Sequence, residues 1–130
     1  MIREAKRQDV PQLVELSRAA NKDMNLRLPW DAEAAEVQLR NLMILPNGIL
    51  LVWEESHSIT GVIGGPLIPW PFDLKTPTVQ EYIVSGHHIE ELRHSFYEEA
   101  ETRGARAVIK LCVDPSEGPR TAYLKGGHSA

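Results

Sequence analysis

Residues 86–89, Gly86-His87-His88-Ile89, join a glycine that breaks one apolar run to the start of a helical one. A helix start gathers several backbone N–H donors at the positive end of the peptide macrodipole, which is what an anion such as a pyrophosphate requires. Gly86 permits the sharp turn, and His87 and His88 add charge-assisted contacts when protonated. Without that role the two histidines cap the helix or face solvent. His94 raises a metal reading, but it lies six residues from His88, the wrong spacing for one helical face, so no metal is expected. No Gly-x-Ser-x-Gly elbow occurs, which argues against a nucleophilic hydrolase. Cys112 is the only cysteine, so an intramolecular disulfide is impossible, and its place in the apolar run Ala107 to Val113 marks it as a small buried hydrophobe.

These residues need a scaffold, and 130 residues are enough for one domain. Hydrophobic content of 42 % and charged content of 25 % are ordinary for a globular chain. Fourteen basic against eighteen acidic residues leave a formal net charge of -4, which disfavours sequence-independent binding to nucleic acid or an anionic membrane. No apolar run approaches the roughly 20 residues of a membrane helix. The start Met1-Ile2-Arg3-Glu4 carries no signal-peptide core, and a cytoplasmic location is expected.

Along the chain, Met1 to Ala5 reads as a short strand, Asp9 as an N-cap, and Val10, Leu13, Val14 and Ser17 as one face of a first helix. Asp31 caps a second helix with Ala35, Leu39, Leu42 and Met43 at helical spacing, ending before Pro46-Asn47-Gly48. Ile49 to Trp53 and Ile59 to Ile68 form an antiparallel hairpin. Gly64-Gly65 in its second strand marks a bulge or a close approach of another backbone. Pro66 to Pro77, with Trp70 and Phe72, is expected to be a surface loop, because prolines cannot continue a central strand. Thr78 to Ser85 is a fourth strand. A helix follows with Ile89, Leu92, Phe96, Tyr97 and Ala100 on one side, ended by Gly104. Arg106 to Val113 is a fifth strand covered on both faces, and Pro119 to Lys125 a last short helix.

This order, together with Ile2-Arg3-Glu4-Ala5 before Asp9-Val10 and Leu13, and with Ala122-Tyr123-Leu124-Lys125-Gly126-Gly127 near the end, resembles the GNAT acyltransferase family over nearly the whole chain. The chain departs from the family at the glycine-rich phosphate loop, where Ser85-Gly86-His87-His88-Ile89 stands, and the family's usual last strand lacks residues. The resemblance implies an α+β fold with a mixed, mostly antiparallel central sheet flanked by helices, the last strand missing or supplied by a partner. It implies a short, eroded member of phage type, transferring acetyl from acetyl-CoA directly to an amine of a small molecule or protein. On that likeness, backbone groups of Tyr82, Ile83, Val84 and Ser85 meet the pantetheine arm, and Gly86, His87, His88 and Ile89 hold the pyrophosphate. Glu81 becomes the general base, Tyr123 the acid for the departing thiol, and Trp30, Trp70 and Phe72 the rim of the acceptor site.

The competing reading is a GNAT-fold protein-interaction module without catalysis. An open sheet edge would then receive a strand from a second copy or another protein.

Overall fold

Apolar residues alternate between the two faces of the central strands, and this alternation sorts the core into two layers on either side of one sheet. The computed structural model describes residues 1–23 and 28–110, together with the backbone of Arg120–Tyr123. Its elements are β1 (Ile2–Glu4), a 3-10 turn (Arg7–Asp9), α1 (Val10–Asp23), α2 (Ala32–Ile44), β2 (Gly48–Glu55) and β3 (Ser58–Trp70). They continue as β4 (Asp73–Glu81), β5 (Ile83–Gly86), α3 (Ile89–Thr102), β6 (Ala107–Lys110) and β7 (Arg120–Tyr123). The sheet runs β1-β2-β3-β4-β6-β7, and β5 pairs with β3 as the continuation of β4. Among the described residues, β4 and β6 pair in parallel and the other pairings are antiparallel.

Ile49, Leu51, Ile63, Val79 and Val108 pack with Leu92, Phe96 and Ala100 of α3 on one face. Leu50, Val52, Val62 and Ile83 pack with Leu13, Leu39 and Leu42 of α1 and α2 on the other. Asp31 caps α2 as expected, accepting the Ala34 N–H at 2.9 Å. Asp9 does not serve α1 in that way. Its carboxylate accepts the Lys6 N–H at 2.7 Å and both Arg3 Nη atoms at 2.8 and 3.0 Å, because a guanidinium on β1 competes better than neutral helix amides. That pairing, reinforced by the Lys6 amide, holds the Asp9 carboxyl below the usual range.

Two expected elements change. The proline-rich stretch 66–77 is not a loop: β3 continues to Trp70 and β4 begins at Asp73, with Leu67, Ile68 and Pro69 opposite Val79, Thr78 and Pro77. Beyond Pro66 the recorded ladder of β3 lies on one side only, and a strand edge of that kind tolerates residues without an N–H. Within the expected last helix, Pro119 to Lys125, the described residues Arg120–Tyr123 form a strand instead, pairing with β6 as β7. Cys112 and Asp114-Pro115 lie outside the described residues.

The fourth strand is interrupted at Tyr82. From Leu67 to Gly64, β3 advances three residues, while the opposing chain advances four, from Val79 to Ile83. The extra residue is a β-bulge. It reverses the alternation: Val79 faces α3, whereas Ile83 faces α1 and α2. Gly64-Gly65 lies opposite, and a Cβ on Gly65 would collide with the Gln80 carbonyl and crowd the Tyr82 amide. Gly65 thus accommodates a bulge in the neighbouring strand, while a Cβ on Gly64 would meet the Leu50 side chain and the Ile49 carbonyl. Among the described residues, no helix is long and apolar enough to cross a membrane.

Gly65→Ala should therefore cost about 1–3 kcal/mol, the usual penalty of overpacking a rigid site. Urea denaturation would measure it, and unchanged stability would mean that the bulge relaxes without cost.

Candidate functional site

The bulge separates β4, which pairs with both β3 and β6, from β5, which pairs with β3. Parallel pairing of β4 with β6 is recorded as far as Glu81 opposite Lys110, whereas β5 pairs with β3 alone among the described residues. The chain then turns tightly into α3. Gly86 has φ +91, its Cβ would strike the Thr60 carbonyl, and the His87 N–H donates to that same carbonyl at 2.8 Å. His88 occupies the N-cap in the left-handed region, at φ 60, and its side chain accepts none of the first-turn amides.

The His88 ring is instead held from three sides. It stacks on Trp53 at 3.8 Å between centroids and 12° between planes. Nε2 lies 2.9 Å from Glu55 and Nδ1 3.1 Å from Glu91. Carboxylates only accept, so the doubly protonated ring satisfies both contacts. The Trp53 indole N–H, donated to Glu55 at 2.9 Å, and then His88 hold the Glu55 carboxyl below its usual range. His87 is exposed.

On the α3 face of the bulge, Glu81 is 4 % exposed. Tyr97 donates its hydroxyl to one carboxylate oxygen at 2.5 Å, and Arg93 Nη2 donates to the other at 3.4 Å. Lys110 Nζ stands 5.8 Å from the Tyr97 ring centre. Burial, and after it the Glu81 hydrogen bond, push the Tyr97 phenol well above its usual range. Both oxygens of the expected base are thus engaged by α3. Arg93 and Tyr97 were legible as a pair one helical turn apart, but the sequence did not reveal that both meet Glu81.

On the opposite face lies a pocket of about 350 Å³, bordered by Ser17 and Asn21 of α1, Gln38 and Leu39 of α2, and Trp30 and Tyr82. Trp30 donates its indole N–H to Ser17 Oγ at 3.1 Å, and the Arg18 guanidinium sits 4.8 Å from its ring centre. A larger hollow of about 530 Å³ lies at the β1 end of the sheet. Arg103 in its wall is used for structure, donating to the Pro46 and Gly48 carbonyls at 3.2 and 2.9 Å.

The fold therefore brings Tyr82, Ile83 and Trp30 to one pocket, and Val84, Ser85, Gly86, His87, His88 and Ile89 to the adjoining strand and helix start. Trp70 and Phe72 lie apart at the β3–β4 hairpin tip, 37 % and 88 % exposed, packed edge to face at 5.8 Å. The Tyr123 backbone pairs with Ala107; its side chain lies outside the described residues. Among the described residues, no group of three or more His, Cys, Asp and Glu is arranged to hold a metal ion.

No family model and no curated protein matches this sequence. Solved structures do match. A predicted acetyltransferase with acetyl-CoA from Clostridium acetobutylicum is 13 % identical, with 86 % of this chain and 80 % of that chain covered and a TM-score of 0.74. A transcriptional regulator from Bacillus halodurans C-125 is 21 % identical over 89 % and 83 % of the two chains, with a TM-score of 0.66. An aminoglycoside acetyltransferase from an uncultured soil metagenomic sample, in complex with sisomicin, is 17 % identical over 90 % and 79 %, with a TM-score of 0.63. The chain has the GNAT fold.

The folded chain keeps the Tyr97 proton where the unfolded chain would release it, so this contribution is complete below about pH 10 and declines as pH rises past that value. Tyr97→Phe should lower stability at neutral pH by about 1–3 kcal/mol, by leaving a buried carboxylate short of a donor. It should also remove part of the alkaline loss, read by urea denaturation between about pH 7 and 11. Equal alkaline losses in the two proteins would clear Tyr97 as the source.

Proposed function

We propose that this chain is a cytoplasmic acyl-CoA-dependent N-acyltransferase that moves an acetyl group from acetyl-CoA directly to an amine. The bulge at Tyr82 carries the reading. It reverses the faces of the strand that leads into α3, in a fold shared with an acetyltransferase whose structure contains acetyl-CoA.

The residues present fit such a donor. Ile83, Val84 and Ser85 have a strand edge without a recorded partner among the described residues, suited to the amides of a pantetheine arm. The α3 start is uncapped by its N-cap side chain, so its amides are free to receive a diphosphate, and exposed His87 adds a cation when protonated. Glu91, which would repel phosphate, is turned toward His88. When bound, the donor supplies the thioester carbonyl and a thiol leaving group. The Trp30–Tyr82 pocket receives the acceptor on the other side of the bulge. Tyr123 is assigned the proton returned to the departing thiol, a role that a phenol with a pKa of about 10 can fill. Glu81 acts as a positioning residue, tying α3 to the strand where it breaks. The outer edge of β7 is where a second copy or a protein partner would add a strand.

Calorimetric titration with acetyl-CoA, and separately with CoA, should give dissociation constants in the micromolar range, about -8 kcal/mol. No heat at millimolar ligand would overturn the assignment in favour of a non-catalytic interaction module. If binding is found, Tyr123→Phe should lower turnover about tenfold or more while leaving acetyl-CoA affinity nearly unchanged. Full turnover in that variant would exclude Tyr123 as the acid.

A further inference from the structure

We infer that the acceptor is a small, weakly basic amine with an apolar body, one that enters the Trp30–Tyr82 pocket already uncharged. The inference rests on the transferase reading and names the substrate class of its acceptor site. A pocket of about 350 Å³ falls at the small-molecule end of the range for ligand sites. Among its described lining residues there is no Asp, Glu, His, Lys or Arg. The side chains that reach it from α1 and α2 are apolar, hydroxyl or carboxamide, and Tyr82, 44 % exposed, is the one titratable group on the strand wall. Outside the lining, the Arg18 guanidinium lies against the Trp30 ring and the exposed Asp31 follows Trp30 in the chain. Glu81 is on the far face of the strand with both oxygens occupied.

An ammonium ion placed here would meet no counter-ion among the described lining residues. Burying it would cost more than burying a neutral amine of the same shape. Proton balance points the same way. The nitrogen lone pair forms the C–N bond to the thioester carbonyl, the C–S bond breaks with its electron pair on sulfur, and one N–H proton ends on the thiol. A neutral amine closes this balance without an additional base. An ammonium carries one proton more, which must be removed before attack, and the described pocket offers no carboxylate or imidazole to take it.

The isomers 4-methylaniline and benzylamine have nearly the same size and differ strongly in basicity, so they separate charge from shape. With acetyl-CoA as donor and thiol release as readout, 4-methylaniline should exceed benzylamine in kcat/KM by about tenfold or more at neutral pH. The benzylamine value should climb about tenfold per pH unit until it reaches that amine's own pKa. Spermidine should be a poor acceptor. Gln38→Glu, which adds a carboxylate to the wall, should narrow the gap between the isomers. A benzylamine profile that levels off well below its own pKa would reveal an enzyme base and overturn the inference, and so would equal or better turnover of benzylamine or spermidine at neutral pH. Either result would leave the transferase reading intact. If no amine is acetylated, titration of tryptophan fluorescence without acetyl-CoA decides separately. Quenching by 4-methylaniline that is absent with spermidine and lost in Trp30→Phe would sustain the pocket assignment while the transferase reading falls. Absence of quenching would overturn the pocket assignment too.

Discussion

The arrangement depends on one extra residue. Tyr82 is inserted into a strand whose partner advances three residues while it advances four, and the insertion is sterically possible because Gly65 presents no Cβ to the Gln80 carbonyl and the Tyr82 amide. An uninterrupted strand would keep odd-numbered residues on the α3 face throughout. The bulge sends Ile83 into the opposite layer, where it joins Tyr82 in the wall of a pocket between α1 and α2. The place of Ile83 in the pocket wall and the run of β5 into α3 therefore both follow one local irregularity.

A bulge of this kind needs its surroundings held firmly, and α3 is fastened to the sheet along its length. Leu92, Phe96 and Ala100 are fully buried in the core layer. At its N-terminus, His88 stacks on Trp53 and reaches Glu55 at the end of β2. Near its C-terminus, Arg103 donates to the Gly48 carbonyl at the start of β2. Between these points Tyr97 and Arg93 hold Glu81. The apolar contacts supply most of the stabilisation, while the polar ones fix register, since a buried carboxylate tolerates few positions for its donors.

Much of the element order was legible in the residues. Period-3.6 spacing marked the helices, Asp31 and Gly104 marked ends, and the apolar runs at 49–53 and from Ala107 to Lys110 marked strands. The failures have local causes. Prolines at 66, 69, 71 and 77 looked like a loop because strand-breaking is judged for a central strand, whereas here the recorded ladder beyond Pro66 runs along one side only. Residues 119–125 looked helical because a stretch of a few residues lacks enough period to decide, and pairing with β6 selected a strand. Asp9 looked like the cap of α1 until Arg3, brought close by β1, claimed its carboxylate.

The sequence by itself determined composition, charge, the helical faces, and the glycine pair that signals an unusual backbone. These properties depend on residue type and short spacing, which a linear chain already contains. Tertiary structure decided which strand carries the bulge, that Glu81 faces α3 and not the pocket, and that His88 is clasped by Glu55 and Glu91. It also decided that Trp30 shares a pocket with Tyr82 while Trp70 and Phe72 do not. Those outcomes rest on contacts between residues dozens of positions apart and on a one-residue change of parity, and strand register, unlike helical period, is set by the partner strand.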